Sequence, residues 1–430
     1  MSIGVLAYKA TPTGGVRRGL ALLVVATLPF ALGLTIDLRF PLKIYEVALG
    51  LAALSCLADL RVPSHPAARR AALPLVGLLG FALAVLLVHA WAPPRGLEWS
   101  EFESRFGPLG DGITKILYIT LALFGFLLVA WQSSRDEDAV IRAWLLGACI
   151  ASAYAWYLVL SSLAGVEPFL LPGITEPQRI TFGDLTLIRA GPFAEGNYFG
   201  LYLVLSTAVA LYVGRRSLAL VLSATALTTF STTNILGLVI LWTLVLARPA
   251  DRGGTISRRV LYGVGALVLI AAVAAALIST GYLQSVVVGK LTGQDVGSRL
   301  ERLNQALTGL QMFRAHPFAG VGLSQYGYYY DRYQFVSVNL PIDPVLAKHI
   351  PNNVYVELLA ELGLVGLLLF VAFLIQIWRQ TKAPRLRPLR YGFVSMLLAL
   401  NAFPTLSVMF LWAFFGFVVG VSSRHGDAVE

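Results

Sequence analysis

The chain has 430 residues, 57% of them hydrophobic and only 13% charged, with a mean hydropathy of +0.73. Soluble domains carry about 25% charged residues, whereas here the apolar residues run on in blocks close to the roughly 20 needed to cross a bilayer core. A soluble enzyme, a disordered tail and a secreted disulfide scaffold are excluded. The expected fold is all-α: one polytopic integral membrane domain over 1–430.

Twelve apolar segments follow one another, at 20–36, 44–60, 72–92, 113–131, 139–163, 198–213, 217–230, 232–247, 260–279, 353–377, 390–403 and 405–421. Only a short turn around Ser231-Thr-Thr-Asn234 separates the seventh from the eighth, and residues 401–406 make a similar reversal between the last two. Arg17 and Arg18 precede the first segment, but Thr35-Ile-Asp-Leu-Arg39 follows it where a small-residue cleavage site would stand, so it reads as a span. Cys56 and Cys149 lie inside apolar segments with no partner pattern, which leaves no disulfide or metal framework.

With the N-terminus placed in the cytoplasm, 20 Lys and Arg fall inside and 13 outside, while Asp and Glu divide 7 to 16. The formal +10 therefore splits into +13 inside and −3 outside. Basic residues concentrate on the cytoplasmic side of membrane proteins and meet anionic lipid there. The charge thus describes insertion, with both termini inside, and points to no nucleic-acid partner.

The outward connections 37–43, 93–112, 164–197 and 280–352 then carry the information. Loops of the length of the last two are usually binding loops or lids. The 280–352 loop contains an amphipathic stretch in which Leu300, Leu303, Leu307 and Leu310 recur at helical spacing and Arg299 and Arg302 stand three apart. It reads either as a surface helix on the membrane or as an anion clamp at the mouth of the bundle. His316-Pro-Phe-Ala-Gly-Val-Gly322 follows, then Tyr326, Tyr328, Tyr329, Tyr330 and Tyr333. These tyrosines suit an interfacial belt; one or two also suit sugar rings. His316, ahead of a Pro-led turn, reads as structural. Arg189 stands close to the start of the sixth span, where it either snorkels or binds. No phosphate-binding loop, no paired aspartates of a metal-dependent sugar transferase and no His-Glu-x-x-His occurs. The expected activity is metal-free, cofactor-free and on the outer face.

Two stretches resemble the bacterial O-antigen ligase and O-antigen polymerase superfamily. Arg189-Ala-Gly-Pro-Phe-Ala-Glu-Gly-Asn-Tyr-Phe-Gly200 is similar to the family's stretch leading into a span. The second runs from His316-Pro-x-x-Gly-x-Gly322 to Pro351-Asn-Asn-Val-Tyr-Val-Glu-Leu-Leu-Ala-Glu-Leu-Gly-Leu-Val-Gly366, resembling a long periplasmic loop that closes into a span. The resemblance implies a glycosyltransferase that takes a glycan from undecaprenyl diphosphate in the periplasm. The resemblance also implies the bacterial inner (plasma) membrane and transfer of that glycan to a growing lipid-linked polysaccharide (polymerase) or to lipid A–core (ligase), by inversion. The two stretches lean slightly toward polymerases, and a chain-length regulator protein is a candidate partner.

By the same resemblance Arg189 and Arg299 bind the diphosphate, with Arg302 auxiliary, and His349 is the general base. Glu195, Asn197, Tyr326, Asn352 and Asn353 are the implied substrate-binding residues. The chain departs from the family here: His commonly precedes the Asn directly, but this sequence has Asn352-Asn353, with His349 three residues ahead of Asn352. Glu195 and then Asp343 are the next candidate bases. A rival reading is a transporter or flippase for lipid-linked glycans, since twelve spans also suit two-fold repeated transporters. A third is an assembly scaffold, in which Gly416-x-x-x-Gly420 packs helices.

Overall fold

The apolar segments fold as helices in a computed structural model that describes residues 12–30, 34–37, 41–58, 64–91, 106–174, 176–182, 185–193, 195–246, 296–334, 349–404 and 406–426. In chain order they are α1 (Pro12–Thr27), α2 (Ile44–Ala58), α3 (Pro66–Trp91), α4 (Gly107–Arg135), α5 (Glu137–Leu163), α6 (Gly196–Tyr212), α7 (Arg216–Leu227) and α8 (Thr232–Leu246). After the long loop begins come α9 (Val296–Ala315), α10 (Val354–Gln380), α11 (Arg387–Ala399) and α12 (Met409–Gly426). Each expected span coincides with a helix except the ninth, 260–279, which lies outside the described residues, as do Asp343 and the side chain of Arg299.

Among the described residues, four helices are long and apolar enough to cross a membrane: Pro66–His89, Gly107–Arg135, Glu137–Leu163 and Val354–Gln380. Ile44–Leu57, Arg216–Leu227, Thr232–Leu246 and Met409–Arg424 are apolar but shorter. Among the described residues the fold is predominantly helical, and the all-α expectation is amended by two short antiparallel ribbons. β1 (Ile36–Asp37) pairs with β2 (Pro41–Leu42), and β3 (Arg179–Phe182) pairs with β4 (Leu185–Ile188). Their strands, of two and four residues, are too short to show strand alternation in sequence.

One apolar core runs from Ala21 in α1 to Val421 in α12. α6 lies at its centre, buried continuously from Phe199 to Ala210, as befits a helix that is apolar on every side. Trp144 of α5 stacks on Tyr202 of α6 and donates its ring N–H to Ser206 Oγ at 2.9 Å. α12 packs backbone to backbone on α4: a Cβ on Gly416 would stand 2.4 Å from the Phe126 carbonyl oxygen, and one on Gly420 2.4 Å from that of Ala130. The Gly416-x-x-x-Gly420 spacing is thus used within the chain, as small residues are in membrane helix pairs.

The helices share two ends. At one, Glu137 of α5 accepts from the Tyr212 hydroxyl at 2.6 Å and lies 3.7 Å from Arg385, while Arg18 pairs with Asp136 at 2.6 Å. This end carries the basic residues that the charge count assigns to the cytoplasm. At the other end the starts of α4, α6 and α10 and the turn after α11 meet, and the described loop residues 317–326 pack against α4 and α10.

Candidate functional site at the starts of α6 and α10

The β3–β4 ribbon delivers Arg189. Its register pairs Arg179 with Ile188, and the ladder extends one step further as the Arg189 amide donates to the Gln178 carbonyl at 3.0 Å. Leu187, Ile188 and Ala190 are buried beside it, so the half-buried Arg189 is anchored on both sides by its neighbours. Gly191 then turns the chain at φ +57°, where a Cβ would stand 2.6 Å from the Phe199 ring. The chain enters α6 with the Gly196 amide donating to Gln178 Oε1 at 2.9 Å, and Gly196 packs against the Arg189 backbone and stem. Arg189 therefore stands beside the N-terminus of α6, where helix amides and dipole favour an anion.

The next turn of α6 is locked from α8. Buried Asn234 donates to the Asn197 carbonyl at 2.8 Å, and its amide fills the space where a Cβ on Gly200 would fall. The polar turn at 231–234 thus holds the mouth of α6. Tyr198 reaches across to the turn after α11, its hydroxyl donating to the Pro404 carbonyl at 3.0 Å. Glu195 is exposed at the N-cap position and makes no capping side-chain bond.

α10 begins at the same mouth. Asn353 is its N-cap: Oδ1 accepts from the amides of Tyr355 at 2.9 Å and Val356 at 3.1 Å, the usual way a helix start is satisfied. One turn on, Glu357 pairs with Lys115 of α4 at 2.7 Å. Four residues later Glu361 accepts from the amides of Ser324 at 2.8 Å and Tyr326 at 3.2 Å. α10 kinks at Gly363 (φ +62°, ψ −160°), which leaves the carbonyls of Ala360 and Glu361 for the loop. Val321 and Gly322 donate to them at 2.8 and 2.9 Å, and Leu364 donates back to Pro317 at 2.8 Å. The loop lies so close that a Cβ on Gly320 or Gly363 would stand 2.4 Å from backbone. The two halves of the second resemblance motif are therefore one structural joint, the 316–322 turn docked into the kink at 361–363.

α9 packs on α10 by its polar and small face: Gln305, Thr308 and Met312 are buried, and a Cβ on Gly309 would meet Val356 at 2.4 Å. Leu303 and Leu310 face the other way, 54% and 36% exposed, and Arg302 is exposed beside Leu303. Gln305 gathers the neighbourhood. Asn352 donates to its Oε1 at 2.7 Å, the Tyr326 hydroxyl donates to its carbonyl at 2.6 Å, and its own Nε2 donates to Glu301 at 3.1 Å. The tyrosines turn inward: Tyr326, Tyr329 and Tyr330 form a small core with Met312, Val321 and Ala360. Tyr326 is wholly buried there, and burial pushes its phenol, with those of Tyr329 and Tyr330, above the ordinary range. His349 stacks on the Tyr330 ring at 4.0 Å and 18°, while the Tyr330 hydroxyl accepts from Asn304 at 3.1 Å. His316 bonds the Tyr333 hydroxyl at 3.0 Å, which fits its structural reading.

Two groups of predicted residues thus emerge. Arg189, Glu195 and Asn197 gather at the start of α6; Arg302, Tyr326, His349 and Asn352 gather around α9. Asn353 lies between them, on α10. A family model described as O-antigen ligase matches residues 217–371, from α7 through α9 and the docked loop into α10. That stretch is thus similar to the O-antigen ligase family, in support of the resemblance to the O-antigen ligase and polymerase superfamily. None of the curated proteins compared matches it. The ligase-family match contains the α9 group, Asn353, Glu357 and the kink, and Arg189 precedes it.

Sequence reasoning passed over Gln178, Asn234, Gln305, Lys115 and Glu357. The first three are amides whose role is to hold backbone and side chains at the mouth, and no sequence pattern marks them. Glu357 had a visible signal: it stands four residues before Glu361, hence on the same helix face, and an ionisable residue in an apolar span is a functional candidate. Lys115, alone near the start of its segment, gains meaning only from the pairing.

Proposed function

We propose that the chain is a membrane glycosyltransferase that moves a glycan from undecaprenyl diphosphate to a lipid-linked polysaccharide or to lipid A–core. In this reading it is one membrane domain of about twelve spans in a bacterial inner membrane, and the transfer takes place at the periplasmic mouth. The observation that carries it is the coincidence of the O-antigen ligase match with the mouth onto which the ribbon delivers Arg189. The periplasm lacks nucleotide sugars, so a donor there arrives already activated, as a lipid diphosphate is.

Displacing that diphosphate from the anomeric carbon builds negative charge on the leaving group, which fixed guanidinium groups stabilise through paired hydrogen bonds. Arg189, beside the α6 N-terminus, and Arg299 supply them, with Arg302 auxiliary. Glu195, Asn197, Tyr326, Asn352 and Asn353 bind or shape the glycan pocket. The attacking hydroxyl gives its proton to a base at the same mouth, for which the resemblance names His349 and which the carboxylates there also suit. The reaction is inverting and needs no metal.

The test is transfer by purified protein in vesicles loaded with lipid-linked repeat units. Arg189→Ala and Arg299→Ala are each expected to lower turnover about 100-fold or more, the scale of losing a preorganised charge at a leaving group. Undiminished transfer by both variants sinks the clamp. Deletion of the gene separates the acceptors: single repeats on lipid A–core mark a polymerase, and full-length polymer left on its carrier marks a ligase.

A further inference from the structure

The α10 carboxylates differ in one respect. Both oxygens of Glu361 accept backbone amides of the docked loop, so that group is spent on structure. Glu357 gives Oε1 to Lys115, and its Oε2, also buried, accepts no hydrogen bond among the described residues. Buried polar atoms in folded proteins nearly always have partners, and an exception asks for a ligand or a reacting group to account for it. Its surroundings belong to the mouth: Glu357 is one turn from the Asn353 cap, its amide donating to the Asn353 carbonyl at 2.8 Å, and it lies within electrostatic reach of Tyr198 on α6. Lys115 is the more open member of the pair, its side chain 20% exposed against 5% for that of Glu357. By contrast, the position where the family commonly has its histidine holds Asn352, which is engaged by Gln305, and the His349 ring stacks on Tyr330 on the α9 side.

We propose that Glu357 is the proton acceptor of the transfer, its Oε2 receiving the hydrogen bond of the attacking sugar hydroxyl. The inference rests on the transferase reading above. In the step, the acceptor O–H bond breaks and the proton passes to Oε2. The acceptor oxygen forms its bond to the anomeric carbon as the carbon–oxygen bond to the diphosphate breaks, and that electron pair leaves with undecaprenyl diphosphate. Lys115 holds Oε1 and is a positioning residue.

The experiment uses full-length protein in vesicles with an undecaprenyl-diphosphate-linked repeat unit, reading both donor binding and release of undecaprenyl diphosphate. Glu357→Gln is expected to lower release at least about 100-fold, the scale of a lost general base, with donor affinity within about threefold of wild type. The exchange Lys115→Glu/Glu357→Lys restores an ion pair between the same helices but moves the carboxylate; it is expected to fold, bind donor and stay inactive. Release within about threefold of wild type by Glu357→Gln, or recovery of turnover by the exchange, overturns the assignment and leaves a structural ion pair. A wild-type protein that binds donor and releases no undecaprenyl diphosphate instead overturns the transferase reading itself, and this assignment with it.

Discussion

His316 shows how a single residue at the mouth is made structural by its setting. Burial first, and then the nearby Arg332 guanidinium, lower its pKa from the ordinary 6.5, so the docked loop holds it neutral while bonded to Tyr333. A lowered value in the folded state means that the undocked loop binds the proton more readily. The contribution of this residue is therefore whole above pH 6.5 and is lost as pH falls through the folded value. Amide protection in residues 320–330, taken relative to the intrinsic exchange rate at each pH, is expected to fall between pH 7.5 and 5, and His316→Gln is expected to flatten that dependence. An equal acid response in the variant would place the titrating group elsewhere. Asn353 makes a related point: expected to bind substrate, it spends its side-chain oxygen on two amides of α10, so any contact with glycan comes from its remaining amide group.

At the scale of elements, the kinked α10 and the 316–322 turn form one joint, and the glycines are its tolerance. Gly363 at φ +62° is in a conformation costly to residues with a side chain, and its Cβ would also meet Phe318 backbone at 2.4 Å. Gly363→Ala is expected to cost about 2 kcal/mol or more, from strain of 1–3 kcal/mol plus the clash. Gly80→Ala, whose Cβ meets nothing within 4 Å, serves as the control and should change stability by less than about 1 kcal/mol. Thermal unfolding in detergent measures both, and equal shifts would refute the joint. The same logic explains what sequence could and could not tell. The motif glycines were visible as motif members, but their shared purpose was not, because contact between residues 320 and 363 is a fact of the folded chain. The leucine stripe of α9 was visible too, and its direction was not: in a membrane protein the apolar face can look outward while Gln305 and Thr308 pack inward.

Across the whole molecule, hydropathy placed the helices because a bilayer core demands long apolar segments, and every expected span within the described residues coincides with one. The two ribbons escaped because strands of two and four residues are too short for alternation to register. Arg189 was legible as an odd charge at a span boundary, yet its placement depends on the β3–β4 register and the Gln178 amide, which no spacing announces. Glu357 was the reverse case, plain in the sequence and given meaning by Lys115. The stretch similar to the O-antigen ligase family runs through a mouth built from three helix starts, and glycan transfer is proposed to happen there. Purified protein in sealed vesicles, supplied with undecaprenyl-diphosphate-linked repeat units and acceptor, tests this most directly. The account predicts glycan joined to acceptor, with one undecaprenyl diphosphate released per bond formed. Glycan that crosses the bilayer with its diphosphate linkage intact, and no new glycosidic bond, would contradict it and establish a transporter.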